Sequence, residues 1–307
     1  MKLFALIAVF LLEQYRPLAY WQIVGDPLQR WADFIAQRFN AGLRRHGMAA
    51  WWVAVFLPSL GLALLYFALD ALNVFLGFLL TAGVLYLGMG FRQFSHHFSA
   101  IQLALRLGDL ERARQALAEW QGRGRQALSA EEIAAEAIQT ALLAAHRHVF
   151  AVLLCLLIFP GPSGVLLYRL AQIVCERWGR LAPEDGEFAR FSQRAFACLD
   201  WLPQRATATA FAIVGNFEDA LHCWRQQASG AFIRVDSAIV LASGAGALGV
   251  RLQGDYFAEG EASAAIEFGV GEPADPDTLQ RAVGLVWRAT VLWVILLLLL
   301  GLAALVG

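Results

Sequence analysis

The sequence predicts an all-α fold, a polytopic integral membrane helical bundle with further helices and loops on the cytoplasmic side. Hydrophobic residues make up 59% of the 307 residues and charged residues only 16%, against roughly a quarter in ordinary globular proteins. Three apolar runs, residues 48–69, 71–90 and 289–306, come close to the ~20 residues that a helix needs to cross a bilayer. The net charge of −1 gives no indication of a nucleic-acid partner.

Residues 1–90 are expected to form an N-terminal membrane region with a short first helix, an amphipathic helix and a helical hairpin. The start resembles a signal peptide, but no small-residue cleavage site follows it, so we expect a retained short membrane helix. In the next segment, apolar side chains recur at helical spacing: Leu28, Trp31, Ile35, Phe39 and Leu43. Two interpretations stay open for this helix, namely binding to the membrane surface and docking against another part of the same chain.

The hairpin of residues 48–90 is the strongest structural signal. Only Asp70 separates its two apolar arms, while Trp51 and Trp52 lie at its entry, where interfacial aromatic residues are expected. Arginines are frequent on both flanks of the hairpin. Because cytoplasmic loops carry an excess of basic residues, both flanks are predicted to be cytoplasmic.

Residues 91–148 are predicted to form a cytoplasmic helical region that leads into the membrane. Ser129 and Glu132 have the spacing of a capping box, which marks a helix start. The helix then meets no breaker before Pro160, so it is expected to continue as one rod. Proline ends a helix, and we therefore expect residues 149–175 to form a broken membrane hairpin, either spanning or re-entrant.

The remainder is predicted to comprise a cytoplasmic or interfacial region, residues 176–288, and a C-terminal membrane helix, residues 289–307. Residues 244–249 match G-x-G-x-x-G, the pattern of a dinucleotide-binding turn when a strand precedes it and a helix follows. Residues 237–242 could pass as that strand. Because no βαβ alternation surrounds the motif, we expect its small residues to allow close helix packing instead.

Two histidine pairs fall at predicted membrane boundaries, His96 with His97 and His146 with His148. If their helices are adjacent, four imidazoles could face one another, and imidazole binds several transition metals. No carboxylate or cysteine accompanies them at ligand spacing. We therefore interpret the histidines as amphipathic anchors and predict no metal, and the motifs identify no cofactor.

Asp200 and Arg205 lie in an otherwise apolar stretch, on either side of Trp-Leu-Pro. A charge in such surroundings is costly unless it is paired or lines a polar cavity. The two residues are therefore either a structural ion pair or parts of one functional pocket.

Residues 199–205 (Leu-Asp-Trp-Leu-Pro-Gln-Arg) resemble a segment shared by bacterial AmpE proteins and the CobD/CbiB cobalamin-biosynthesis proteins, which form one membrane superfamily. Residues 244–256, which end in Tyr256, look like the segment that follows in CobD/CbiB proteins. Further similarity runs through residues 108–114, 128–138 and 161–169, so the resemblance covers nearly the whole chain.

Three departures separate the chain from CobD/CbiB proteins. A His-Pro-Val type motif is replaced at residues 20–24 (Tyr-Trp-Gln-Ile-Val), and a Glu-Asn-x-x-Asp pattern at residues 144–148 (Ala-Ala-His-Arg-His). A Ser-Pro-Asn motif is missing around residues 234–237. The opening of the chain, and residues 199–205 followed by Gly215, are closer to AmpE.

The resemblance thus implies an AmpE-like protein with a regulatory or accessory role in cell-wall sensing and β-lactamase induction. The alternative is an adenosylcobinamide-phosphate synthase, which joins aminopropanol to adenosylcobyric acid through an amide bond; a further alternative is a scaffold subunit of a larger complex. The candidate ligand-binding residues are Asp200, Arg205, His146, His148 and Tyr256. We expect a multi-pass protein of the bacterial inner membrane, with loops mainly cytoplasmic. Its expected partners are the lipid bilayer, a membrane or cytoplasmic protein and a second copy of the chain.

Overall fold

The computed structural model describes residues 2–15, 24–40, 43–89, 91–122, 128–180, 186–231, 237–254 and 266–306. The chain divides into two compact units, and each is built from two separate stretches of sequence. The first unit comprises Met1–Gln93 and Ala151–Pro203, and the second comprises Phe94–Phe150 and Gln204–Gly307.

The elements of the described residues are, in chain order, α1 (Lys2–Tyr15), α2 (Asp26–Phe39), α3 (Arg44–Trp51), α4 (Leu57–Leu72), α5 (Val74–Gly88), α6 (Phe91–Arg106), α7 (Leu110–Gln121), α8 (Ala130–Ala145), α9 (Ala151–Ile158), α10 (Ser163–Trp178), α11 (Gly186–Val214), α12 (Phe217–Ala231), α13 (Ala238–Leu248), β1 (Val250–Gly254), β2 (Ile266–Gly269), β3 (Glu272–Pro273) and α14 (Pro276–Val306). Two π-helical turns, Trp52–Phe56 and His146–Phe150, continue α3 into α4 and α8 into α9.

Three helical stretches of the described chain are long and apolar enough to cross a bilayer, namely Arg44–Leu72, Ala130–Ile158 and Pro276–Ala303. The protein is therefore a predominantly helical membrane protein, as its composition predicts. The rod that begins at residue 130 is continuous as far as Ile158, and its N-terminus has the predicted capping box. The Ser129 hydroxyl accepts from the Glu132 amide at 3.2 Å, and the Glu132 carboxylate accepts from the Ser129 amide at 2.7 Å.

The hairpin of α4 and α5 turns at Asn73, three residues beyond the predicted break at Asp70. Asn73 has an extended backbone, and its side chain accepts a hydrogen bond from the Phe75 amide at 2.8 Å, which caps the start of α5. The second arm, at 15 residues, is shorter than the apolar run that predicted it. The Asp70 carboxylate packs at Gly77, where a Cβ would lie 2.5 Å from Asp70 Oδ1.

The apolar face of α2 docks against the same unit. α2 contacts α10 and the first π-helical turn. The Trp31 indole donates to the Ala54 carbonyl, and the Trp178 indole donates to the Ala32 carbonyl, each at 3.1 Å. The buried side chains of α2 are Ala32, Ile35 and Ala36. Of the two interpretations that the sequence leaves open for this face, the structure shows docking.

The turn between α9 and α10 lies at Pro160-Gly161-Pro162, where the sequence predicts a helix break. Gly161 has a φ of 56°, a left-handed conformation that glycine adopts at little cost. A Cβ at Gly161 would also meet the Tyr66 ring at 2.5 Å. The turn therefore packs tightly against α4, and α9 packs back on α10.

Helix α13 lies at the centre of the second unit. All eleven of its residues are buried, and it contacts α8, α12, α14, β1 and β2. A Cβ at Gly246 would lie 2.5 Å from the Asp219 carbonyl oxygen, and one at Gly244 would lie 2.8 Å from a Leu142 methyl group. The prediction that these glycines allow close packing is confirmed. They lie inside a helix that precedes a strand, which is the reverse of the order in a dinucleotide-binding turn.

A small three-stranded sheet in the second unit adds to the predicted all-α fold. Its strand order is β2-β1-β3, with β1 antiparallel to β2 and parallel to β3. Leu252 pairs with Phe268 in the register of β1 and β2, and both side chains are buried. The sheet therefore covers one side of α13.

Candidate functional site

A buried carboxylate in the first unit is the most distinctive polar feature at a predicted site residue. Asp200, in the middle of α11, is 0% exposed, and so is Tyr168 of α10. The Tyr168 hydroxyl donates to Asp200 Oδ1 at 2.9 Å. One turn earlier on α11, Phe196 packs against the Tyr168 ring with centroids 5.6 Å apart. Because a buried charge needs hydrogen-bond partners, this contact helps to keep Asp200 in the interior.

A second network starts at the next residue of α10. The Arg169 guanidinium is 3% exposed, and its Nε and Nη2 donate to the Gly88 carbonyl at 2.7 and 2.6 Å. Its Nη1 donates to Gln172 Oε1 at 3.0 Å, and Gln172 Nε2 donates to Glu176 Oε1 at 3.1 Å. Steps of three and four residues place these side chains on one face of the helix. A polar row therefore follows α10 from the end of α5 to the half-buried Glu176.

The end of α5 suits this arginine in both charge and shape. The last carbonyls of a helix have no intrahelical partner and carry partial negative charge, so a guanidinium is well placed against Gly88. Glycine is also required there, because a Cβ would lie 2.3 Å from a Val165 methyl group. α10 therefore places a phenol, a guanidinium, an amide and a carboxylate within two and a half turns of helix.

The second unit contains a different buried polar contact. His146 opens the second π-helical turn and is 0% exposed. Its Nδ1 lies 2.9 Å from the hydroxyl of Thr207, in the C-terminal part of α11. The Ser243 hydroxyl of α13 donates to the Ala208 carbonyl at 2.8 Å. These contacts join α11 to both the π-helical turn and α13, and His148 lies half-buried two residues further along.

The other predicted site residues have different environments. Arg205 is half-buried in α11, and burial lowers the pKa of its guanidinium. His97 stacks on Trp120 with centroids 6.3 Å apart. Among the residues that the structure describes, no three His, Cys, Asp or Glu side chains are arranged to hold a metal ion. Tyr256 lies outside the described residues, as do residues 20–23 and 234–236.

Tyr168, Arg169 and Gln172 were not recognised in the sequence, where this segment was treated as an apolar arm of a hairpin. The signal that could have found them is a charged residue within an otherwise apolar helix. Such a residue must be paired or line a polar cavity. The same argument identified Asp200, which the structure brings together with Tyr168.

Comparison with known proteins identifies the family. The family model described as "CobD/Cbib protein" matches residues 9–286. "Cobalamin biosynthesis protein CobD" of Stutzerimonas stutzeri (strain A1501) is 34% identical over 273 residues, which is 88% of each chain. The protein of the same name from Chromobacterium violaceum is 32% identical over 210 residues, 68% of this chain and 67% of the relative. No solved structure gives a significant match.

These findings correct the expectation of an AmpE-like regulatory or accessory protein, which is wrong. That expectation gave more weight to three short motif differences than to the similarity along the remaining chain. The differences lie at residues 20–24, 144–148 and 234–237. Local motifs of this length are weak evidence beside a match that extends from residue 9 to residue 286. The chain belongs to the CobD/CbiB family.

Proposed function

We propose that this protein is a cobalamin-biosynthesis enzyme of the adenosylcobinamide-phosphate synthase type, which forms an amide bond between aminopropanol and adenosylcobyric acid. The observation that carries the proposal is the 34% identity to a cobalamin biosynthesis protein across 88% of both chains. Because the alignment covers 88% of each chain, the similarity extends over both compact units and is not confined to one segment.

The polar row of α10 and the Tyr168–Asp200 pair are the proposed substrate-binding groups. Amide formation replaces one oxygen of a carboxylic acid with the amine nitrogen: the C–O bond breaks, the oxygen leaves as phosphate after activation by a phosphoryl donor such as a nucleoside triphosphate, and the amine gives up a proton. The site must therefore hold a carboxylate and accept a proton from the amine. Arginine suits the first task, because its guanidinium binds carboxylates through two parallel hydrogen bonds. Arg169 donates to Gly88 and Gln172 in the described fold, so it would exchange one of these acceptors for the substrate carboxylate. Asp200 and Glu176 are the carboxylates on these helices that suit the second.

The motif differences limit which residues can carry the proposed reaction. Where the family pattern has Glu, Asn and Asp, the chain has Ala144, Ala145 and His148. Under this proposal, other polar groups of the chain take over the roles of these residues. His146 and Arg205 are proposed as further ligand-binding residues of the second unit.

For its location, we propose a multi-pass protein of the bacterial inner membrane with mainly cytoplasmic loops. Three apolar helices support the membrane location. The exposed Arg44 and Arg45 at the start of the first span support a cytoplasmic position for that end. A protein partner and a second copy of the chain remain predictions.

Complementation tests the proposed activity. The full chain is expressed in a bacterial strain that lacks its cobinamide-phosphate synthase, and growth is measured under conditions that require cobalamin. The wild-type chain is expected to restore growth, and Asp200→Asn and Arg169→Gln are expected to lose it. The matched control is Glu218→Gln, which neutralises an exposed acid on α12 and should leave growth unchanged.

The outcome against the proposal is equally specific. If the wild-type chain reaches the membrane in the same amount as a CobD positive control and gives no growth, it is not a synthase of this type. If growth is restored and survives both substitutions, the activity stands but the α10–α11 site is wrong.

A further inference from the structure

The outer face of α2 carries an unusual pattern for a helix that docks through its other side. Arg30, Phe34 and Arg38 recur every four residues, and all three are exposed, with Phe34 56% exposed. Two acids belong to this helix. Asp26 is exposed one turn before Arg30, whose Nε donates to the Asp26 carbonyl oxygen at 3.4 Å. Asp33 is engaged elsewhere, since Arg177 Nε donates to its Oδ1 at 2.9 Å. The outer face of α2 therefore carries two arginines and one exposed acid.

The first candidate span shows where this face lies relative to a bilayer. Six exposed side chains follow one another at four-residue steps along the α3–α4 stretch: Arg44, Met48, Trp52, Phe56, Leu60 and Leu64. The row passes from a cation through large aromatic residues to aliphatic ones, which is the order from headgroups to acyl chains in one leaflet. At ~1.5 Å per residue, Arg44 lies ~12 Å above Trp52.

α2 is fixed close to the headgroup end of that row. It contacts both α3 and the π-helical turn, and the hydrogen bond from the Trp31 indole to the Ala54 carbonyl ties it to the level of Trp52. Arg45 is exposed beside Arg44. Among the described residues, none of Arg38, Arg44 and Arg45 forms an ion pair.

We propose that Arg30, Arg38, Arg44 and Arg45, here called the arginine surface, bind the headgroups of acidic phospholipids in the bilayer. Guanidinium groups bind phosphate oxygens through paired hydrogen bonds. Phe34, between Arg30 and Arg38, adds an apolar side chain of the kind that enters the headgroup boundary. The arginine surface is independent of the proposed catalytic activity.

Lipid selectivity measures this binding directly. The purified full chain is reconstituted in phosphatidylcholine vesicles with a trace of spin-labelled phosphatidylglycerol or spin-labelled phosphatidylcholine. The motionally restricted fraction of each label gives the relative affinity. A basic residue near the surface contributes enough to change the association of an acidic lipid by roughly fivefold. We expect wild type to prefer phosphatidylglycerol several-fold, and raised salt to reduce that preference.

Charge-matched variants separate this surface from general basicity. A fourfold variant is expected to abolish the preference; it combines Arg30→Gln, Arg38→Gln, Arg44→Gln and Arg45→Gln. The two substitutions on α2 alone and the two on α3 alone should each reduce the preference. The control removes four other exposed arginines, which are Arg112, Arg194, Arg225 and Arg251, and should keep the preference. If the fourfold variant unfolds, the two pairs still decide the result.

Two results would overturn the proposal. One is an unchanged preference in the arginine-surface variants, or an equal loss in the control. The other is displacement of the labelled lipid by excess inorganic phosphate at constant ionic strength, which would make the surface a site for free phosphate rather than for lipid.

Discussion

The Tyr168 hydroxyl and the Asp200 carboxylate meet at 2.9 Å with neither side chain exposed to solvent. The phenol is a neutral donor, so it stabilises the carboxylate without cancelling its charge. The contribution of this contact to stability can be measured by removing the donor.

Tyr168→Phe removes this donor and keeps the ring. Leaving a buried acceptor short of a partner costs about 1–3 kcal/mol, so the free energy of unfolding should fall by that amount in detergent micelles, measured by circular dichroism. In a double-mutant cycle with Asp200→Asn, the double variant should lose less stability than the sum of the losses in the two single variants. Strict additivity would show that the contact contributes nothing. The control is Thr209→Val, which removes an exposed hydroxyl from α11, the helix of Asp200.

Gly246→Ala should destabilise the second unit. Its Cβ would meet the backbone of Asp219 and Ala220 at 2.5–2.8 Å, and a backbone neighbour can move only with its whole helix. Overpacking of this kind costs about 1–3 kcal/mol, which a lowered thermal midpoint would report. Gly284→Ala is the matched control, because no atom lies within 4 Å of its Cβ. It should be neutral or should stabilise α14 by about 0.5–1 kcal/mol.

The ion pair between Arg177 and Asp33 should contribute less to the free energy of unfolding than its short contact indicates. Its hydrogen bond raises the pKa of Arg177, but the two side chains are 37% and 35% exposed, and exposed pairs are usually worth less than about 1 kcal/mol. Asp33→Asn is therefore expected to lower stability by less than that. Trp178→Ala, which removes a buried ring that bonds to the Ala32 carbonyl, should cost about 3–5 kcal/mol. Comparable losses from both substitutions would contradict this ranking.

The stability of the second unit should fall at mildly acidic pH because of His97. Burial lowers the pKa of this imidazole below its usual 6.5, and His96 lowers it further, so the folded state disfavours the proton more than the unfolded state does. The contribution is complete above pH 6.5 and is lost as pH falls through 6.5 and on through the lower folded pKa. Thermal midpoints between about pH 5 and 8 should decline less in His97→Gln than in wild type. His222→Gln, at an exposed position, should behave like wild type.

Local sequence rules predicted the features that depend on neighbouring residues. The capping box at Ser129 and the break at Pro160 are set by the chain itself, and the long apolar stretches are set by the thickness of the bilayer. The turn at Asn73 was also within reach, because asparagine is a preferred helix cap. The prediction placed the turn at Asp70 because charge was weighed above capping.

The rest depends on contacts between distant segments. Arg169 bonds to a carbonyl 81 residues earlier in the chain, and no local pattern names that acceptor. The strands β1 and β2 are only five and four residues long, so neither shows enough alternation to stand out. Asp200 could be recognised as a costly charge, but its partner on α10 required the packing of two helices.

Substitutions at the two ends of the contact between Arg169 and Gly88 should fail for different reasons. Its acceptor is a main-chain oxygen, so no substitution at position 88 can delete it, and a replacement there fails by colliding with Val165. A replacement at position 169 removes the cation and leaves the carbonyl in place. A compensating change at Val165 could therefore rescue a defect at Gly88 but none at Arg169, and a suppressor screen would distinguish steric from electrostatic failure at one contact.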